Sequence, residues 1–485
     1  MNPRLSLSHF VFVAVFLGAL TSGARMLGID SDLGRHLTLG NYILEHRIIP
    51  THDLFSHTLA HQPRPPYEWL SQVLFALSHR WLELDGVILL TAVVIATSLT
   101  LTYQFTEKRS KAPFISLLFV LLAIASSSIH WLPRPHIFTF LLLAIWIEQL
   151  EQIREGRPFK LIMLPLLMLL WANLHGGFLF GVLAWLAYCA GWLIDRWRGN
   201  ADARTGQRLF TTGILSLFAS ILTPDLWHNW EAVLNNRSIF ILSRTVETMP
   251  PTLTHPEILP FTLWLVLTVA LTIINLKKLP AAHLFLIIGF GFLALSFARN
   301  IPLFVIACTP ITTELAAAFS RRSRVWMQVE ERFGNLGGQS SLLSISLVAV
   351  IAAAFYFGVY QYNEGKTIFQ FNPQVFPVQA VDWLEKNPQE GKMFNEFNWG
   401  GYLLYRLWPQ QLVFLDSQSD FYGEDLLKEY EEALLARGDW ENILAKYEVA
   451  WILIPTESPL AKALNGKPNW KIVYRDEIAV VFVKP

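Results

Sequence analysis

Apolar residues in this chain come in long runs broken by short polar turns. Runs long enough to cross about 30 Å of hydrocarbon fall near 7–24, 85–106, 112–130, 134–151, 159–175, 177–195, 208–223, 258–276, 280–298, 300–319 and 341–361. They predict about eleven membrane helices. The first run lacks a strong basic front and is followed by many others, so it reads as a retained helix rather than a signal peptide. The stretch "YEWLSQVLFALSHRWL" (67–82) is different. Tyr67, Leu70, Leu74, Leu77 and Trp81 repeat at helical spacing while Glu68, Gln72 and His79 share another face, which predicts a helix lying on the interface.

From 362 onward the pattern changes. "GKMFNEF", "QLVFLDS", "VAWILIP", "WKIVYRD" and "IAVVFVK" are rich in β-branched and aromatic residues and predict strands, the last two as an antiparallel hairpin. "FPVQAVDWLEKN" and "GEDLLKEYEEALLARG" carry helical periodicity. Residues 1–361 therefore read as a transmembrane domain with a first external loop at 25–84. Residues 362–485 read as a soluble α/β domain.

Loop charge supplies the expected orientation, because cytoplasmic loops carry the excess of Lys and Arg. Lys108, Arg109 and Lys111, then Arg154, Arg157 and Lys160, then Arg196, Arg198, Arg204 and Arg208, then Lys277 and Lys278, and finally Arg321, Arg322, Arg324 and Arg332 fall in one alternate set of loops. That set is expected to be cytoplasmic, with the N-terminus, and the 362–485 domain external, as in a bacterial plasma-membrane protein. The composition agrees with a polytopic membrane protein: 53% of the 485 residues are hydrophobic and 16% charged, where a soluble domain carries about 25%. Formal net charge is zero, which gives no reason to expect a nucleic-acid partner. Cys189 and Cys308 lie in separate apolar runs and form neither a metal spacing nor a disulfide framework. Phosphate-loop, nucleophile-elbow and His-Glu-x-x-His signatures are missing, so an ATP-driven machine is not expected.

The polar residues near hydrocarbon gather on the external side, and such residues are kept there when useful or paired. The first loop holds Asp30, Asp32, His36, Asp53 and Glu68. "HWLPRPHIF" adds Arg134 and His136, "WANLHGGF" adds Asn173 and His175, and "FARNIP" adds Arg299. Each has a plainer reading. Asp30 or Asp32 would cap a helix starting near Leu33. Asp32 and His36, four apart, would make a surface pair. Arg134 would anchor a helix end at the headgroups, and His175 would pack beside Gly176 and Gly177. The functional reading rests on the gathering.

The order of these features resembles the GT-C superfamily of integral-membrane glycosyltransferases. "DSDLGRHLTLGNYILEHRIIPTHDLFSHT" followed by "RPPYEWL" is similar to the branch containing the aminoarabinose and mannosyl transferases. More weakly, the "NWGGY" stretch at 398–402 is similar in position to the Trp-Trp-Asp-Tyr-Gly motif of oligosaccharyltransferases, without its aspartate, and Trp399 and Tyr402 read as core residues. The resemblance implies a GT-C-like helical fold and transfer of a sugar from a polyprenyl-phosphate-linked donor to a lipid, glycan or protein acceptor. Asp30 or Asp32 would be the base, and Arg134 and Arg299 would meet the phosphate. His36, Asp53, Glu68, His136, Asn173 and His175 would complete a substrate shell. A divalent metal held by Asp32, His36 and His136 is a further possibility, although relatives tend to place an aspartate where this chain has His136. The competing class is a non-catalytic scaffold of the same fold.

Overall fold

The computed structural model describes residues 6–235, 240, 246–321, 323–336 and 367–485. Ten of the expected spans fall on helices, and the eleventh, 341–361, lies outside the described residues. The chain begins with α1 (Leu7–Thr21), α2 (Gly23–Ile29), α3 (Leu33–His46), α4 (Trp69–Ser110) and α5 (Pro113–Ser127). It continues with α6 (His136–Arg154), α7 (Met163–Leu174), α8 (Phe178–Trp197) and α9 (Ala203–Ser220), and the bundle is completed by helices Leu259–Asn275, Ala281–Ser296 and Ile301–Ser320.

The helices on these runs differ in length. Among the described residues five helices are long and apolar enough to cross a membrane, or six if α1 and α2, bent by 48°, count as one. With 12 residues, α7 rises only about 18 Å, and α9 carries Arg204 and Arg208 in its first turns. Apolar runs that look continuous in sequence are thus partly used in helix ends and turns.

The stretch expected to lie on the interface is the first part of α4. Leu82 (φ −140°) and Glu83 (φ 51°) leave the helical region, so 69–81 turns sharply into the span that follows. Ser71, Gln72, Phe75 and Ala76 are buried, while Leu77 and Trp81 point outward, as an interface-lying helix requires.

The C-terminal region forms one four-stranded sheet in the order β1-β2-β4-β3, with β1 (Lys392–Asn395), β2 (Val449–Pro455), β3 (Lys471–Arg475) and β4 (Ala479–Val483). β1 runs parallel to β2, and the expected β3–β4 hairpin is antiparallel. Alternation sorts the side chains. Met393, Trp451, Leu453 and Val481 join the core shared with the helical bundle, while Phe394, Ile452, Ile454 and Phe482 pack under helix Ser419–Leu434. The expected strand "QLVFLDS" does not join the sheet. It is extended but pairs elsewhere: Val413 bridges to Ser56, Phe55 and Val413 exchange a backbone bond of 3.0 Å, and Thr58 donates to the Phe414 carbonyl at 2.6 Å. The first loop takes up the backbone of Val413 and the Phe414 carbonyl, while the Asn395 side chain at the end of β1 accepts the Phe414 N–H and donates to the Leu415 carbonyl.

That loop and the C-terminal domain meet most closely where α3 crosses helix Gly400–Leu407. A Cβ on Gly34 would lie 2.1 Å from the Gly401 carbonyl oxygen, and one on Gly401 would lie 2.2 Å from that of Ser31. The two backbones touch because neither residue has a side chain. Trp399 and Tyr402 beside them are buried core residues, as expected. Gly34→Ala should therefore lower stability by about 1–3 kcal/mol through overpacking. Gly18→Ala, whose new methyl meets nothing within 4 Å, should not lower it. Thermal denaturation of both variants in detergent tests the contact, and equal melting temperatures would refute it.

Candidate active site

The site begins where α2 ends. Asp30 is fully buried, and its Oδ1 accepts the backbone N–H groups of Asp32 (2.8 Å) and Leu33 (3.2 Å), which fixes the turn into α3. Of the two acids, then, Asp30 serves the helix start, while Asp32 makes no capping bond. Arg134 spans both. Its Nε donates to Asp30 Oδ1 at 3.0 Å, its Nη1 lies 2.9 Å from Asp32 Oδ2, and Glu247 Oε1 adds a third carboxylate at 3.4 Å. Asp32 Oδ1 also accepts the Ser417 hydroxyl from the C-terminal domain. The Asp32 side chain stays partly open at 16%, whereas Asp30 Oδ2 is enclosed without a partner. Burial pushes the Asp30 carboxyl up to about 6; Arg134 opposes the rise and Asp32 adds to it.

A second cluster adjoins the first. His175 Nδ1 accepts the Gly177 N–H (3.0 Å) and contacts the Thr139 hydroxyl (2.8 Å), so its Nε2 is free to face Glu68 Oε1 at 3.8 Å. His36 Nδ1 meets the Gln72 side-chain amide at 3.3 Å and lies 4.0 Å from the other Glu68 oxygen. Burial raises the Glu68 carboxyl to about 7, against the pull of Arg35 and with a further push from Asp420 and Asp32. His136 Nε2 donates to the His130 carbonyl at 2.9 Å, and the two imidazoles stack at 4.2 Å. Exposed Arg299 sits close enough to act electrostatically on His130 and His175.

Two of the sequence candidates serve the scaffold. Asn173 accepts the Trp69 indole N–H and donates to the carbonyls of Leu169 and Leu222, which ties α4, α7 and α9 together. Asp53 accepts Ser56 N–H and hydroxyl and pairs with Arg64. Asp32, His36 and His136 do not form a metal site as arranged. Among the described residues no three His, Cys, Asp or Glu side chains converge as ligands, and the guanidinium of Arg134 already bridges the two carboxylates. A divalent ion would first have to displace it.

Sequence reasoning missed Arg35, Arg64, Glu247, Asp416 and Gln418. Arg64 donates to Asp53, Asp416 and Gln418 and stacks on Phe421 at 4.5 Å. The 352 residues between Arg64 and Asp416 leave no local signal. Arg35, one turn from Asp32, was the one within reach, since it stands inside the same acidic stretch.

The fold, a helical bundle with an acidic turn after its second helix, a kinked fourth helix and a C-terminal α/β region, is similar to that of solved membrane proteins. The archaeal oligosaccharyltransferase AglB from Archaeoglobus fulgidus, in complex with an inhibitory peptide and a dolichol-phosphate, is similar to this chain. The TM-score is 0.60 at 11% identity, covering 92% of this chain and 69% of AglB. The same enzyme tethered to an acceptor peptide containing the NVT sequon gives 0.60 at 10% identity and the same coverage. ArnT from Cupriavidus metallidurans in the apo state gives 0.52 at 13% identity over 98% of this chain and 97% of ArnT. At such identities the likeness is one of fold. No family model matches the sequence, and no curated protein does.

Because the Asp30 carboxyl is raised in the folded chain, its protonation favours folding. That contribution is complete below the ordinary carboxylate value and is lost as pH rises through about 6. Removing Arg134 moves the folded value higher and leaves a buried charge unpaired, so Arg134→Gln should cost about 3–5 kcal/mol at neutral pH. The deficit should shrink as the pH falls to about 5, where Asp30 carries its proton. Denaturation of both proteins across that range checks this, and a deficit constant with pH would contradict it.

Proposed function

We propose that this chain is an integral-membrane glycosyltransferase that moves a sugar from a polyprenyl-phosphate-linked donor to a hydroxyl or amine acceptor on the external face. The observation that carries the reading is the Asp30–Arg134–Asp32 bridge, with Asp32 as its open member. Asp32 accepts the acceptor's proton as the acceptor oxygen or nitrogen bonds to the anomeric carbon. The bond from that carbon to the phosphate oxygen breaks, and its electron pair leaves with the lipid phosphate. Asp30 and Arg134 hold Asp32 in position. Exposed Arg299, with no ion pair among the described residues, is placed to meet the departing phosphate, since a guanidinium forks onto two oxygens and keeps its charge beside lipid. The AglB relative bound to a dolichol-phosphate supports a polyprenyl-phosphate donor.

The side assignment rests on charge sorting. Arg109, Arg154, Arg157 and Arg321 lie together at the end of the bundle opposite the site, which by the positive-inside rule is the cytoplasmic end. The N-terminus is then cytoplasmic, and residues 362–485 form the external domain. The rival, a non-catalytic scaffold, draws support from the closed state of the bridge, in which Arg134 is satisfied by three carboxylates.

Purified protein in lipid, supplied with a polyprenyl-phosphate sugar pool and a cell-envelope extract as the source of hydroxyl and amine acceptors, should release polyprenyl phosphate. Asp32→Asn should slow release by about 10²–10⁴-fold, the usual worth of positioned proton transfer, without unfolding the protein. Release by the wild-type enzyme should also fall as the pH drops through about 6, because protonating Asp30 dissolves its pair with Arg134. If Asp32→Asn releases lipid phosphate at the wild-type rate, Asp32 is not the base; if the wild-type protein releases none, the scaffold reading stands.

A further inference from the structure

Two guanidinium groups line one cleft between the first loop and the C-terminal domain, and they are treated in opposite ways. The cleft is narrow, with about 20 Å³ of free space, and is walled by Arg35, Arg64, Phe55, Tyr67, Glu68 and Gln418 among others. Arg64 and Arg35 are almost equally buried, at 7% and 6% exposure. Arg64 is fully engaged through Nε, Nη1 and Nη2. Arg35 donates no hydrogen bond to any described residue, and its enclosed Nε has no partner. Its one ion pair among the described residues is Asp416 at 3.9 Å, beyond hydrogen-bond length, and Asp416 is already held by Arg64 at 3.0 Å and by the Gln418 N–H at 2.8 Å.

Leaving a buried charged donor unsatisfied is costly, and the neighbouring arginine shows that this cleft is able to satisfy one. We infer that Arg35 is the oxyanion-binding residue of an acceptor site in this cleft, where it takes a phosphoryl or carboxylate group of the second substrate. A planar guanidinium with free N–H groups matches either group bidentately. The free space is enough for a small group rather than a whole ligand, and Leu39, Leu54 and Phe55 supply apolar walls. Glu68 connects the cleft to the reacting centre, since it lines the cleft while its oxygens face His175 and His36. Arg35 follows Asp32 by three positions at the start of α3, which makes them neighbours on one helix face. An anion gripped by Arg35 directs the remainder of the acceptor past Glu68 toward Asp32. This assignment to the acceptor rests on the transferase reading, but the anion site does not.

The probes are methyl phosphate and acetate, titrated into the full-length protein in lipid nanodiscs against sodium chloride of equal ionic strength, with melting temperature as the readout. Wild-type protein should be stabilised saturably by at least one probe, and the preferred one tells a phosphoryl from a carboxylate ligand. Arg35→Gln should bind it roughly 10–100-fold more weakly, the worth of a charge-assisted hydrogen bond; Arg35→Lys should recover part of the loss, and Asp32→Asn should keep the binding. Wild-type protein that shows no saturable shift, or Arg35→Gln that binds as wild type does, overturns the site. If Arg35→Gln does not fold, the wild-type titration and Arg35→Lys decide. A short-chain polyprenyl phosphate added first should leave probe binding intact; if it abolishes binding, Arg35 serves the donor and the acceptor assignment is wrong. Probe binding without any sugar transfer would keep the anion site while removing the transferase reading.

Discussion

Arg64 joins the two halves of the molecule. It reaches from the first loop to Asp53 in its own segment and to Asp416 and Gln418 in the C-terminal domain, with Phe421 under its plane. Neither partner acid is open to water. Burial alone would raise the Asp416 carboxyl, yet the charges of Arg64 and Arg35 and the Gln418 N–H hold it below the usual range. Such a buried network is poor evidence of net stability, because its desolvation cost is comparable to its attraction. It is good evidence of specificity, since any other arrangement of loop and domain strands a charge. Tyr67 in the cleft wall, donating to Asp420 at 3.1 Å, and Ser417, donating to Asp32, cross the same junction.

The Asp30–Arg134–Asp32 bridge sits one layer further in and works differently. Arg64 is saturated and has nothing left to offer a ligand. Arg134 is also paired, but one partner, Asp32, remains partly exposed, and the other keeps an enclosed oxygen without a donor. A site that is nearly but not completely satisfied can exchange one partner for a substrate group at small cost, whereas a complete one cannot. Burial and like charge keep Asp30 close to its protonation midpoint in mildly acidic solution, so the bridge is sensitive to added charge.

Helical runs, the interfacial helix, the terminal hairpin and the gathering of polar residues at one end were all legible in the sequence, because each depends on local periodicity or on loop charge. Helix lengths were less so. Hydropathy does not show that α7 starts only at Met163, or that "QLVFLDS" bridges to the first loop rather than joining the sheet as a strand. Within the site, Asp30, Asp32, His36, Glu68, Arg134 and His175 stand together, as their common placement at helix ends suggested. Asn173 and Asp53 belong to the scaffold, and no residue type distinguishes an amide that positions helices from one that binds a sugar. Arg64, Asp416 and Gln418 could not be read at all, since their meaning arises from a contact across more than 350 residues, which periodicity does not report.

The far end of the bundle completes the account of how the site is held. Arg109 at the end of α4 lies 3.1 Å from Glu151 near the end of α6, and Glu151 also meets His283 at 3.1 Å and the Tyr188 hydroxyl at 2.7 Å. The spanning part of α4 begins after the kink at Leu82 and Glu83, and α6 begins two residues after Arg134. One buried cluster therefore fixes the axial register of α6, whose opposite end supplies Arg134, against the spanning part of α4. A slip of α6 by one residue, about 1.5 Å, would separate Glu151 from Arg109 and move Arg134 away from Asp30 together. Ionic groups are expensive near hydrocarbon unless paired; pairing them across α4 and α6 turns that cost into a constraint, and the geometry at the opposite end of the bundle follows from it.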